Sequence, residues 1–397
     1  MQLIVVAESD ARLYRPAEVG PNCWLRGGRG SGPAMRIVVL GGAGNFGARI
    51  VRALRADPNI ELVVAGRRTA PVAAEGVPAA IADIGSVDFA QRLKSLTPGL
   101  VIHCVGPFQG QDYRVAKAAL AAGAHYLDLA DGRGFISGFA AAVNTLAVGA
   151  GRVAISGAST LPALSAAVVE ELRQGLSALD SIDIAIAPGQ LAPRGKATLE
   201  AVFSYLGRPF AVWRDGQWRR SWGWMQLRPI RLDVGRRLSA ACDVPDLELF
   251  PARFAGVRTV QFQAALEFGV QHLALWVLAA IRRIGLPLPV SRWAVALNTL
   301  AGLFDPLAAE QGGMRVSVVG IRGSDGARIR RSWQLIAPAR DGPEIPCMAA
   351  ILIARRLARG EVFQSGASAC MGWVSLAEFS QEFARWRIST RLEEVAA

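Results

Sequence analysis

Short apolar runs recur between residues 35 and 156, each stopping at a glycine, proline or acidic residue, with amphipathic stretches between them. The runs at 37–40, 62–65, 79–83, 100–105, 125–129 and 153–156 are too short for helices and predict six strands. Ile50, Val51 and Leu54 carry helical spacing, as do residues 87–96 and 112–122, the latter ending at Gly123, a suitable residue just past a helix end. Alternating short strands and helices predict an α/β fold with a Rossmann-type, doubly wound parallel sheet. After about residue 180 the pattern changes. Strands are predicted at 182–186, 258–266, 314–322 and 328–336, a helix at 195–206, and a hairpin within 211–234 turning at Asp215-Gly216. This predicts a second, α+β domain with a mixed or antiparallel sheet. Residues 348–357 and 376–385 read as helices. The expected organisation is a poorly ordered extension or misassigned start at 1–34, a nucleotide domain at 35–158, a substrate and dimerisation domain at 159–345, and a C-terminal helical segment at 346–397 packing back on the nucleotide domain.

The chemistry of the first turn is the most specific signal. The first strand leads into Gly42-Ala43-Gly44-Asn45-Phe46-Gly47, and a helix follows. In that context Gly42 allows the tight turn, Gly44 lets the backbone approach a pyrophosphate, and Gly47 lets the helix pack close on the strand. The helix N-terminus adds free N–H groups and a positive dipole end. The second strand ends in Gly66-Arg67-Arg68, where an NAD site has an acidic residue; two guanidiniums there favour a 2′-phosphate, hence NADP(H). Asp83, at the end of the third strand, is either an adenosine contact or a loop cap.

Composition narrows the partners. Hydrophobic residues make up 52% of the 397 residues, so a large core or a lipid-facing surface must absorb them. The net charge of +12 comes from scattered arginines, with no long basic run, which argues against nucleic acid. The five cysteines are widely spaced, with no metal-ligand cluster, fitting a reducing cytoplasm and no metal. No apolar run reaches the roughly 18–20 residues of a membrane span. Residues 269–304 contain two very apolar segments around Arg282-Arg283 and a proline-rich turn. They read either as core or dimer-interface packing, or as an acyl-chain pocket or peripheral anchor on the inner face of a membrane.

Candidate cleft residues lie at strand ends. Gly106, Pro107 and Phe108 end the fourth strand, where the backbone runs beside the ribose and nicotinamide. Phe108 is a cofactor candidate and Gln109 a substrate candidate. Asp131, Ser159 and Thr160 are further substrate candidates; the two hydroxyls alternatively cap the next helix. The catalytic acid is unknown, with Tyr113, Lys117 and Asp128 as weak candidates. Tyr113 and Lys117 share a helix face. His103 and His125 read as structural, and Lys196 as solvated or in contact with an anionic substrate.

Several segments together resemble the saccharopine dehydrogenase-like family of NADP-binding oxidoreductases: VVLGGAGNFG with AGRR, VIHCVGPFQGQDYRVAKAALAAGAHYLDLADG at 101–132, and SGASTLPALSAAVV at 156–169. The resemblance implies a nucleotide domain joined to an α/β substrate domain that often dimerises. It also implies an NADPH-dependent oxidoreductase that transfers hydride to a C=N, C=O or C=C of a small-molecule or lipid-like substrate. The alternative from the residues is an NADP(H)-binding, membrane-associated scaffold or sensor without turnover.

Overall fold

The computed structural model of the chain describes residues 33–67, 76–193, 196–286, 288–338 and 340–397. The expected extension at 1–34 lies almost wholly outside them, as do Arg68 and Gly195 and the side chain of Lys196. The first half comprises β1 (Met35–Leu40), α1 (Gly47–Leu54), β2 (Ile60–Gly66), β3 (Ala79–Ile81), α2 (Phe89–Ser95), β4 (Leu100–His103), α3 (Arg114–Ala121), β5 (His125–Asp128), α4 (Arg133–Gly149) and β6 (Val153–Ser156). The strands pair in the order β6-β5-β4-β1-β2-β3, all parallel. The apolar runs are continuous because both sheet faces are covered. Ile37 and Val39 join the cluster containing α1, and Val38 and Leu40 join the one containing α2, α3 and α4.

The chain continues through α5 (Ser165–Leu172), β7 (Leu176–Ala187), α6 (Lys196–Ser204), β8 (Pro209–Arg214), β9 (Gln217–Trp222), β10 (Arg228–Leu232), β11 (Gly235–Ala241), α7 (Asp246–Arg253), β12 (Thr259–Ala265), α8 (Gly269–Arg283), α9 (Val290–Ala301), β13 (Gln311–Arg322), β14 (Arg328–Pro338), α10 (Ile345–Ala358), β15 (Gly366–Ala369), α11 (Leu376–Phe383) and β16 (Ser389–Ala396). The second sheet runs β10-β11-β12-β7-β13-β14-β16, with β8 and β9 hung as a hairpin on β12. It is mixed, since β12 and β7 are parallel and the other pairs antiparallel. The hairpin turns at Asp215 and Gly216, both at positive φ (54° and 73°), as a two-residue turn between twisted strands requires.

Two sequence expectations need correction. Residues 346–397 are not a helical segment alone: β15 extends the first sheet beside β6, and β16 extends the second beside β14. The sequence GASA has no apolar alternation, and the β16 sequence is exposed throughout, so neither strand carries a burial pattern; pairing with a neighbour supplies the structure. Helix α4 was not predicted either, because glycines interrupt its N-terminal half. One of them, Gly138, is needed: a Cβ there would lie 2.5 Å from the Tyr113 hydroxyl.

Helix α10 does pack against α1, and Arg355 donates to the Ala53 carbonyl at 3.0 Å. The two sheets are tied by polar contacts. Arg133, at the start of α4, reaches Asp243 at 3.0 Å, Glu248 at 2.5 Å and the Ala211 carbonyl at 2.7 Å. Ser165, opening α5, donates to Asp246, opening α7, and both are fully buried.

Burial pushes the Asp246 carboxyl up to about 7, partly offset by the Ser165 hydrogen bond. Between the ordinary carboxylate pKa of about 3.8 and about 7 the folded protein therefore holds more protons than the unfolded chain, so this group's contribution to stability is lost as pH rises through that window. Asp246→Asn removes the dependence. In urea unfolding at pH 5 and pH 8, the variant should gain on the wild type at the higher pH, by about 2–3 kcal/mol.

Candidate functional site

Parallel sheets of this order bind ligands outside the carboxyl ends of their strands, at the point where the order reverses between β1 and β4. The glycine turn occupies that position. Its left-handed residue is Gly41, at φ +76°, so the tight turn rests on Gly41 and not on Gly42 as the sequence reading had it. Gly42 has a different constraint: a Cβ there would lie 2.8 Å from the Val64 side chain. At Gly47 a Cβ would come within 2.3 Å of the Gly41 carbonyl oxygen, so α1 begins in direct contact with the turn. Gly44 is exposed, and a Cβ there would meet only the Gly41 carbonyl oxygen, so the space outside the turn is open. Among the described residues the amides of Asn45, Phe46 and Gly47 have no backbone acceptor. An open cradle rimmed by free amides at a helix N-terminus fits a pyrophosphate.

Asn45 accepts from Arg49 at 2.7 Å, and Arg49 also pairs with Glu344 at 3.0 Å, so both brace the turn. Arg67 is exposed at the end of β2 and has no acidic partner among the described residues. Asp83 lies on the neighbouring strand end, where the Ala82 amide bonds the Gly66 carbonyl at 3.0 Å. Its carboxylate accepts from the Gly85 amide at 3.0 Å through one oxygen, as a loop cap does, and leaves the other oxygen for an adenosine contact.

Gly106, Pro107 and Gln109 sit beyond the end of β4. The Gln109 side chain donates to Asp131 at 3.2 Å, joining the loops after β4 and β5. Asp131 is exposed and accepts this bond at the mouth of the crevice. The Phe108 ring turns away, buried against His103 and Phe135 with ring centroids at 5.0 and 5.3 Å, so only its backbone faces the crevice.

The acid–base candidates are spent elsewhere. Asp128 is fully buried and accepts from the Ala130 amide, the Ser156 hydroxyl and the Gly157 amide at 3.0, 3.0 and 2.7 Å. Burial raises it to about 6, and these bonds, with one from Tyr126, hold it down. Tyr126 also meets His103 at 3.0 Å, and burial lowers that histidine to about 3. The Tyr113 hydroxyl donates to the Phe135 carbonyl at 3.0 Å, its ring packs on Phe135 and Phe139, and Lys117 is exposed on α3. His125 accepts from the Val153 amide at 3.1 Å. Neither Ser159 nor Thr160 caps a helix: Leu161 is non-helical and α5 begins at Ser165. Among the described residues no cluster of histidine, cysteine or carboxylate side chains could hold a metal.

Beside the crevice lies a cavity of about 530 Å³. Phe46 of the glycine turn and Thr160 line its crevice side. Ile186, Met314 and Leu335 come from the second sheet, and Leu275, Leu278, Leu297 and Phe304 from the segment of α8 and α9. Its polar side chains are few: Thr160, Tyr205, Trp224, Gln271 and Asn298. The sequence reading singled out neither Tyr205 nor Trp224, since each is an isolated aromatic with no motif around it.

Comparison with known proteins bears on the nucleotide domain and the fold. The family model described as the saccharopine dehydrogenase NADP-binding domain matches residues 37–168. Apo saccharopine dehydrogenase (L-Glu forming) from Saccharomyces cerevisiae superposes with a TM-score of 0.65 at 12% identity, over 91% of this chain and 100% of that one. Homospermidine synthase from Legionella pneumophila, in complex with NAD, gives 0.55 at 10% identity, over 91% of each chain. No curated protein matches this sequence.

Gly47→Ala forces two backbone segments apart, since neither the Gly41 carbonyl nor α1 has a flexible end to yield. Chemical denaturation should show a loss on the order of 1–3 kcal/mol. NADPH titration of the folded variant should show weaker binding.

Proposed function

We propose that this protein is an NADPH-dependent reductase of a lipid-like substrate: residues 37–168 match the saccharopine dehydrogenase NADP-binding domain model, and the fold resembles that of saccharopine dehydrogenase over 91% of the chain. The observation that carries the substrate class is the apolar cavity opening from the glycine turn through Phe46 and Thr160. Bound NADPH supplies hydride for a C=O, C=N or C=C. The free amides of Asn45, Phe46 and Gly47, on the turn that Gly42 and Gly44 shape, hold the pyrophosphate. Arg67 holds the 2′-phosphate, with Arg68 beside it in sequence. The backbone of Gly106, Pro107 and Phe108 flanks the nicotinamide end. The cavity takes the substrate's chain and excludes water from the reacting carbon.

Arg67→Ala should weaken NADPH at least about tenfold and leave NADH unchanged, as expected for loss of a charge-assisted contact to the 2′-phosphate. The protein should oxidise NADPH with dodecan-2-one or a C12 enoyl ester in preference to their C4 counterparts. Equal loss for both cofactors refutes the arginine reading, and indifference to chain length refutes the cavity reading.

The same segment faces outward as well. On α8, Gln271, Ala274, Leu275 and Leu278 line the cavity and His272 and Ala279 are buried, while Leu273 and Val277 are exposed. Val270 and Leu300 are exposed and line the cavity as well; Ile284, Leu286, Trp293, Leu303 and Leu307 are further exposed apolar residues of the segment, and Arg282 and Arg283 end α8. This supports peripheral contact with an anionic bilayer, arginines at the headgroups and the cavity beneath. No described helix is long and apolar enough to cross a membrane. The protein should float with phosphatidylglycerol vesicles, and Leu273→Asp with Leu303→Asp should abolish flotation while NADPH binding persists. No flotation of the wild type, with sedimentation showing a dimer that the double variant dissociates, would make this face a subunit interface instead.

A further inference from the structure

Strand β16 forms one edge of the second sheet, and among the described residues its outer side pairs with no other strand. All of its residues are exposed, Leu392 by 55% and Val395 by 45%. The usual protections of a sheet edge are missing. The strand holds no proline and no lysine, and its register with β14 runs from end to end without a bulge. The phase of the hydrogen bonds fixes which backbone groups face outward. The Ala397 amide bonds the Arg328 carbonyl at 3.1 Å, one step beyond the Ile329–Ala396 pair. Bonding alternates along an antiparallel strand, so residues 389, 391, 393 and 395 turn their amides and carbonyls to β14. Thr390, Leu392, Glu394 and Ala396 turn theirs to solvent. Such an edge is a template for an antiparallel strand.

We propose that β16 pairs with β16 of a second copy of this chain, antiparallel about Leu392, so that the two mixed sheets run on as one across a two-fold axis. Charge complementarity selects this occupant and this register. In a two-fold pair that continues a sheet, facing residues share a face, so the axis passes through a residue of the strand. An axis at Arg391, Glu393 or Glu394 sets that charge against its own copy, which is destabilising. An axis at Thr390 or Val395 leaves most of the strand unpaired. The axis at Leu392 apposes two exposed leucines and sets Arg391 opposite Glu393 of the second copy, once on each side of the axis. It also sets Thr390, a hydroxyl donor, opposite Glu394, and the outward amides and carbonyls of Thr390, Leu392 and Glu394 all meet outward groups. Arg391 is already aimed for this. It donates to the Asp233 carboxylate at 2.8 and 3.2 Å and lies 3.7 Å from its own Glu393. Its side chain is still 57% exposed, which leaves room for a second carboxylate. This pairing is independent of the reductase reading and of the apolar face on α8 and α9.

The test is sedimentation equilibrium of the full chain, with native mass spectrometry to identify what forms. The wild type should be a dimer. Arg391→Glu and Glu393→Arg each put like charges opposite one another on both sides of the axis. Either alone should raise the dimer dissociation constant about tenfold or more. Mixed one to one, R391E and E393R restore an opposite-charge pair on both sides. The mixture should form a heterodimer about as tight as the wild-type dimer, which also shows that both variants are folded. Leu273→Asp with Leu303→Asp should leave the dimer intact. A monomeric wild type overturns the proposal. So do single variants that dimerise as tightly as the wild type. A mixture that stays monomeric, with both variants showing wild-type circular dichroism, overturns the register and the pairing with it. A dimer that the α8 and α9 variant dissociates and the β16 variants do not places the interface on the apolar face, and overturns the proposal as well.

Discussion

The contact between Gly47 and the carbonyl of Gly41 fixes most of what surrounds it. With no side chain at Gly47, α1 starts in the sheet's crevice, and its free amides point outward. The same placement turns Phe46 into the wall of the cavity and brings Arg49 to Glu344 just ahead of α10. Cys347 then bonds the Phe46 carbonyl at 3.5 Å, so the C-terminal helix reads the position of the glycine turn directly. Cofactor cradle, cavity wall and helix α10 are consequences of one backbone approach.

The join between the sheets is polar where the site is apolar. Arg133, with its side chain only 11% exposed, makes ion pairs to Asp243 and Glu248 and a bond to a carbonyl. An arginine fork in that setting fixes orientation better than an apolar face, because its bonds have direction. Orientation is what the site needs: Gln109 and Asp131 come from the first sheet's loops, most of the cavity wall comes from the second half of the chain, and Arg133 bonds Asp243 from only two residues beyond Asp131.

The sequence made β1, β2, β4, β5 and β6 legible because these strands are largely buried on both faces, so short apolar runs mark them. The glycine turn was legible in place, though the positive φ fell one residue earlier, at Gly41. Side-chain direction was not legible. Phe108 stands at a strand end yet packs inward, since His103 and Phe135 offer it a better surface than the crevice does. Nor could spacing assemble the cavity, whose lining runs from Phe46 to Pro346. The apolar character of 269–304 pointed to it, but its meeting with Phe46 and Thr160 depends on the packing of elements distant in sequence.

Strand β15 joins the first sheet and β16, the last element of the chain, joins the second. Both sheets thus receive a strand from the final 32 residues, and the α10 helix against the glycine turn comes only slightly earlier. During synthesis the N-terminal sheet emerges long before its seventh strand exists, with the β6 edge unpaired and the inner face of α1 uncovered. The first half therefore cannot complete its sheet on its own. Both halves close only when the segment from β15 to β16 is present to run from one sheet to the other.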